Sequence, residues 1–294
     1  MSLADMLPPT VLNQAIDEWI GNDIPAFDVG GFVVGHGVRE ANILVKSTLV
    51  LAGLPFVDAI MNRLGCNVSW KVKEGTFLQG SGKNRILVGI AKGPANRLLQ
   101  AERTALEVLT RCSACASVAR RLVDASRTQG WKGKVAATRK TTPGSFRMIE
   151  KYGAIIGGAD PHRYSLSTMV MLKDNHIDVA GSITNAVELT RSACGFSCKI
   201  EVECRSEADA VEAATAGADC VMLDNFTPEQ VADVAPRLKR KFPNVIIEVS
   251  GGINLTTIVS YAAHGVDIIS VGAITHGPPP VDISMKIAPA KAKL

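Results

Sequence analysis

The spacing of apolar residues changes near residue 115, and the change divides the chain into two regions. In the first, an amphipathic stretch over 11–20 predicts a short opening helix. The runs ANILVKSTLVLAG, CNVSWKVKEG and ILVGIAKG alternate apolar with polar positions and end in glycine turns, which predicts short strands in an antiparallel sheet. A helical period then begins near Ala95 and continues through AERTALEVLTRCSACASVARRLV. In the second region, apolar runs of strand length fall at 135–138, 168–174, 198–204, 219–224, 244–250 and 267–272. Helix-like segments such as SEADAVEAATAGA and TPEQVADVAPRLKRKF separate most of them, and two close in a Gly-Ala-Asp or Gly-Val-Asp turn at Gly217 and Gly265.

A repeated strand, loop, helix and short turn predicts parallel strands covered by helices. An open doubly wound sheet and a β/α barrel both satisfy that pattern. The polar residues decide between them, because nearly every predicted strand ends in charge or glycine: Arg139 and Lys140, Lys173 and Asp174, Glu203, Asp224, Ser250 with Gly251 and Gly252, and Gly272. In a barrel these ends converge on one mouth, where barrel enzymes keep their chemistry. Six such strands make the expected barrel incomplete.

Composition narrows the functional classes. The 294 residues are 47% hydrophobic and 20% charged, as expected for a folded α/β protein. The net charge of +4 comes without a dense basic stripe, which argues against a nucleic-acid surface. No apolar run is long enough to span a membrane, and the N-terminal segment lacks the basic and apolar blocks of a secretory signal, so a cytoplasmic protein is expected, with the nucleus reachable by diffusion. The 7 cysteines are odd in number and lie among apolar neighbours, which disfavours a disulfide framework. Cys112 and Cys115 form a CxxC on one helix face, but with no second pair at zinc spacing core packing is the better reading.

The strand ends themselves carry the chemistry. Arg139, Lys140 and Lys173, joined by His162 and Arg163 from the loop GGADPHRYSLS, would form a ring of cations that only a polyanion relieves. Glu203 and Asp224 end neighbouring predicted strands and supply hard oxygens of the kind that hold Mg²⁺ with substrate phosphates. Gly251, Gly252 and Gly272 let backbone N–H groups approach a phosphate. Singly these features have ordinary explanations: Glu201 and Glu203 alternate as a solvated edge would, MLKDNH is an acceptable polar turn, and SGG occurs in many turns. Their placement at successive strand ends is what favours a site.

The segments TRKTTPGSFRMIEKYG, GGADPHRYSLSTMVMLKDNHI, KIEVEC, VMLDNF and EVSGGI, with LLQAERTALEVL and EGT upstream, resemble the quinolinate phosphoribosyltransferases in order and spacing over nearly the whole chain. The resemblance implies an N-terminal α/β open sandwich domain over 1–115 and an incomplete β/α barrel of about six or seven parallel strands over 116–274. The tail 275–294 is expected to pack back on the first domain. It implies transfer of phosphoribosyl from phosphoribosyl pyrophosphate to quinolinate with loss of CO₂, in the route to NAD. It also implies at least a homodimer, with hexamers of three such dimers in some members, and Arg103 lent across the dimer interface.

Carried over by position, Thr138, Arg139, Lys140, His162, Arg163 and Lys173 would surround quinolinate, with Arg103 from the neighbouring subunit. Glu203 and Asp224 would face the ribose and the Mg²⁺-pyrophosphate, and Ser250, Gly251, Gly252 and Gly272 would hold the 5-phosphate. Lys140 is the first choice as proton donor to the ring and Lys173 the second. The chain departs from the family at Ala137, where glycine is usual, and at Ser145, one residue more than PGFR or PGLR. Competing readings are a nicotinate phosphoribosyltransferase, a barrel aldolase with Lys173 as Schiff base, and a non-catalytic metabolite-binding protein. The number of cations around the ring speaks for a dicarboxylate.

Overall fold

The computed structural model describes residues 3–82 and 84–288. In chain order the first elements are α1 (Pro9–Asp23), α2 (Val29–Val34), β1 (Val38–Val45), β2 (Leu49–Val50), α3 (Leu54–Arg63), β3 (Asn67–Trp70), β4 (Phe77–Leu78), β5 (Ile86–Pro94) and α4 (Ala95–Arg127). Then come β6 (Lys134–Ala136), α5 (Phe146–Ile156), β7 (Val170–Leu172), α6 (Asp174–Ala180), α7 (Ile183–Cys194), β8 (Ile200–Cys204), α8 (Glu207–Thr215) and β9 (Cys220–Asp224). The chain closes with α9 (Pro228–Lys241), β10 (Ile246–Ser250), α10 (Ile258–Tyr261), β11 (Ile268–Ser270) and β12 (Ile283–Ile287). No helix among the described residues is long and apolar enough to cross a membrane.

Two compact units result: Met1–Ser117 with Thr142–Gly157 and Pro278–Leu294, and Val118–Thr141 with Gly158–Gly277. In the first unit an antiparallel sheet runs β12-β1-β5-β3, and β2 pairs with β4. Alternation along β1 turns Ala41, Ile43 and Val45 into the core, opposite exposed or half-buried neighbours. Chain 283–287 of the tail is part of this sheet, and 289–294 lie outside the described residues. Glu74, whose carboxylate accepts the N–H groups of Gly53 (2.7 Å) and Leu54 (3.0 Å), caps the start of α3. Cys112 and Cys115 are buried in this unit, where loss of solvent pushes both thiols up, Cys115 to about 12; they are inert packing groups.

The segment 142–157 differs from the expectation that all of 116–274 forms one domain. The apolar face of α5 belongs to the first core: Ile149 is fully buried and the Tyr152 ring meets Phe56 edge-on at 5.2 Å. Gly153 lets α5 lie against α4, since a Cβ there would come within 2.5 Å of the Cys112 carbonyl. Glu150, also buried, pairs with Arg111 at 2.6 Å and accepts both the N–H (2.9 Å) and the hydroxyl (2.6 Å) of Thr142. The added Ser145 is held as well: its hydroxyl accepts the Trp19 indole N–H at 2.7 Å and donates to Glu18 at 3.2 Å.

In the second unit six parallel strands run β6-β11-β10-β9-β8-β7, and an isolated parallel bridge from Ala136 to Asp160 adds a minimal seventh position beside β6. This is an incomplete β/α barrel. Five of the six predicted strand runs contain their observed strands, shortened at one or both ends, while β6 begins one residue before the run expected at 135–138. Serine and threonine caps start the covering helices: Ser182, Ser206 and Thr227 accept the N–H groups of Asn185, Asp209 and Gln230. Ala137, where a glycine was expected, is fully buried and donates its N–H to the Asp160 carbonyl at 2.8 Å.

Candidate active site

Period-two alternation decides which side chains reach the interior of the barrel. On β8, Ile200, Val202 and Cys204 pack among apolar neighbours, while Glu201 and Glu203 take the opposite face. On β9 the same face carries Cys220, Met222 and Asp224, and on β10 it carries Glu248 and Ser250; the register sets Glu203 beside Met222, Met222 beside Glu248, and Asp224 beside Ser250. Because the strands are parallel, their C-terminal ends meet on one side and enclose a cavity of about 460 Å³.

That cavity is lined by Thr138, Arg139 and Lys140 after β6, His162 and Arg163 from the following loop, Lys173 after β7, Glu203, Asp224, and Ser250, Gly251, Gly252 and Gly272 at the last strand ends. The structure thus gathers into one pocket every site residue expected from this unit. Arg103 is elsewhere: it is exposed on α4 in the first unit, paired with Glu107 at 3.3 Å. Met171, Met222, Asn225, Glu248, Ile253 and Ser270 also line the pocket and were not singled out from the sequence. A signal existed for several: Met171, Met222 and Glu248 each stand two residues before an expected site residue and so share its face.

The charges are arranged in two groups. Burial first, then repulsion from nearby Arg139, lowers the Arg163 guanidinium from its usual value; Glu201, Glu248 and Glu203 oppose the shift. Arg139 and Lys140 form no ion pair among the described residues. Lys173 is ion-paired with Glu203. Burial and the Glu203 carboxylate raise Asp224, while Lys173, Lys140 and Arg205 draw it back down. An acid pair whose members repel each other at a polar mouth is a fitting donor set for a hard divalent cation.

Glycine is required at two places. Gly251, at φ +104°, would bring a Cβ to 2.8 Å from the Asn225 backbone nitrogen, and Asn225 itself adopts φ +59°. A Cβ on Gly272 would project toward Lys140 Nζ at 4.0 Å and Thr138 Oγ1 at 3.9 Å, into the space a bound anion would use.

Beneath the mouth lie three buried groups. His162 Nε2 is 3.2 Å from Glu248 Oε1 and 4.0 Å from Glu201 Oε2. Burial first, then the Glu248 carboxylate, pushes Glu201 up to about 9, so it is a neutral acid at neutral pH whose hydroxyl is turned to Glu248. The ligand atoms of this trio lie within 4.8 Å of one another, a spacing open to a metal ion. The Arg163 guanidinium beside both glutamates already supplies the positive charge there.

Family models place this geometry. The N-terminal domain of quinolinate phosphoribosyl transferase matches residues 31–113 and its C-terminal domain matches 115–286. The chain belongs to the quinolinate phosphoribosyl transferase family. It is 47% identical over 285 residues to the nicotinate-nucleotide pyrophosphorylase [carboxylating] of Homo sapiens, covering 97% of this chain and 94% of that one. The protein of the same name from Dictyostelium discoideum is 45% identical, covering 98% and 99%. The crystal structure of NadC from Streptococcus pyogenes superposes with a TM-score of 0.86 at 33% identity, covering 95% of this chain and 97% of that chain. The family's two-domain α/β architecture is therefore the fold of this chain.

Proposed function

We propose that this quinolinate phosphoribosyl transferase family member is a decarboxylating enzyme that joins quinolinate to the ribose of phosphoribosyl pyrophosphate, giving nicotinate mononucleotide, pyrophosphate and CO₂ for NAD synthesis. The observation that carries the reading is the single pocket in which Arg139, Lys140, Arg163 and Lys173 face Glu203 and Asp224. Four cations in one pocket, of which Arg139 and Lys140 form no ion pair among the described residues, suit a ring with two carboxylates together with a diphosphate.

The residues divide the work. Arg139, Arg163 and Thr138 grip the ring carboxylates and aim the pyridine nitrogen at the ribose carbon. Ser250, Gly251, Gly252 and Gly272 offer backbone N–H groups to the 5-phosphate. Glu203 and Asp224 would hold Mg²⁺, directly or through water, and the ion when bound neutralises charge on the departing pyrophosphate. As that group leaves, positive charge grows on the ribose, and the same two carboxylates lie where they stabilise it.

Attack by the ring nitrogen forms the N–C bond and leaves a pyridinium. The bond from the adjacent ring carbon to its carboxylate then breaks, its electron pair stays on that carbon, and CO₂ departs. Lys140, an ammonium with no ion pair among the described residues, delivers the proton to the carbon. Lys173 is second in line because Glu203 holds it. That same ion pair weighs against an aldolase, whose lysine must attack as a free amine.

The active assembly is a homodimer, with three dimers joining in a hexamer, in which Arg103 reaches the quinolinate site of the neighbouring subunit. The enzyme works in the cytoplasm. The deciding assay offers quinolinate and nicotinate side by side with phosphoribosyl pyrophosphate and Mg²⁺. Nicotinate mononucleotide with stoichiometric CO₂ from quinolinate alone is expected; turnover of nicotinate in preference, or none of either, would overturn the reading.

A further inference from the structure

His162 lines the pocket, and its ring would ordinarily be taken as a substrate contact. Its hydrogen bonds point elsewhere. The Arg163 backbone N–H donates to His162 Nδ1 at 2.7 Å, so Nδ1 carries no proton and the ring N–H sits on Nε2. Nε2 in turn faces Glu248 Oε1 at 3.2 Å. Both ring nitrogens are thus committed to the protein, and the side chain is only 6% exposed.

The backbone tells the same story. His162 holds φ +56°, a left-handed conformation that non-glycine residues rarely adopt unless their surroundings impose it. Here Asp160 Oδ1 accepts the His162 N–H at 2.8 Å, and the ring folds back on the next peptide. The result fixes the direction in which the chain presents Arg163, whose guanidinium reaches Met169 O at 3.3 Å and Met171 Sδ at 3.4 Å.

We propose that Glu248 is a positioning residue: by accepting the His162 Nε2–H it clamps the ring against the Arg163 peptide and sets Arg163 for its carboxylate. The proposal rests on the functional reading above for its substrate, but its geometry does not. Glu248 stands beside Met222 and Ile268 at the barrel's inner face, one register step below Ser250, too deep to replace Glu203 or Asp224 at the mouth.

Two measurements test it. In protein labelled with ¹⁵N-histidine and assigned by comparison with His162→Gln, the His162 ring should be the neutral Nε2–H tautomer at about pH 7.5. A proton on Nδ1 overturns the proposal, whatever the enzyme does with quinolinate. In steady-state kinetics, Glu248→Leu should raise KM for quinolinate about tenfold or more and leave KM for phosphoribosyl pyrophosphate within about twofold. Glu248→Gln, whose amide oxygen still accepts from Nε2, should recover most of the loss. Equal damage to both KM values, or no rescue by glutamine, overturns it. If the unaltered enzyme ignores quinolinate, the functional reading has failed, and the tautomer alone decides this one.

Discussion

Both units bury acidic side chains, and they use them in opposite ways. In the first unit Glu150 is fully buried but closed: Arg111 and both donors of Thr142 use its oxygens. Glu74 is likewise occupied by the N–H groups of Gly53 and Leu54. In the second unit Glu201 has another acid, Glu248, opposite it and stays protonated up to about 9, and Arg139 and Lys140 line the pocket with no ion pair among the described residues. A buried charge matched inside the protein holds a fold together, whereas charges of one sign gathered without a match hold a ligand.

Removing a closed charge should therefore unfold, and this is the largest effect expected. Glu150→Ala takes away the partner of Arg111 and the anchor of Thr142, and should lower stability by about 3 kcal/mol in urea denaturation. An unchanged midpoint would mean that solvent replaces the carboxylate at no cost, and the contrast between the units would lose its first half.

Removing an open charge should do the reverse. Arg139→Ala should reduce kcat/KM for quinolinate by about tenfold to a hundredfold, the value of one charge-assisted hydrogen bond of roughly 1.5 to 3 kcal/mol. Its melting temperature should not fall, because the mutual repulsion with Arg163 is relieved at the same time. A drop in melting temperature with unchanged kcat/KM would move Arg139 from the site to the scaffold.

How much of this was legible in the sequence depends on which physical rule each feature obeys. The parallel strands and the converging ends could be read because apolar runs and the charges that stop them are local patterns. Glu203, Asp224 and Lys173 were found that way. The membership of α5 was not legible: its amphipathic face predicts burial but not which core receives it, and only the contacts of Ile149, Tyr152 and Gly153 decide. The role of His162 was hidden for a different reason. A histidine next to an arginine in a loop reads as two cations, and nothing local announces φ +56° or the ring's turn toward its own backbone. Glu248 was within reach, since it alternates with Ser250, but a glutamate inside an apolar strand is a signal only once the strand is known to line an interior.

The smallest effect sharpens the comparison most, because it concerns a stabilising change at a functional face. The Glu201 carboxyl has an ordinary value of 4.5 in the unfolded chain and about 9 in the fold, so between these values the folded protein keeps a proton that the unfolded one has released. Stability is fully present below the lower value and falls as pH rises through the window. Glu201→Gln donates to Glu248 as the neutral acid does but has no proton to lose. Its stability relative to the unaltered protein should rise between about pH 5 and about pH 8, because only the carboxyl is drawn toward losing its proton over that range, while the amide's imperfect fit costs the same at both ends. Parallel stability curves from about pH 5 to pH 8 would mean that Glu201 is ionised in the fold. The barrel interior would then be closed by charge pairing, as the first unit is.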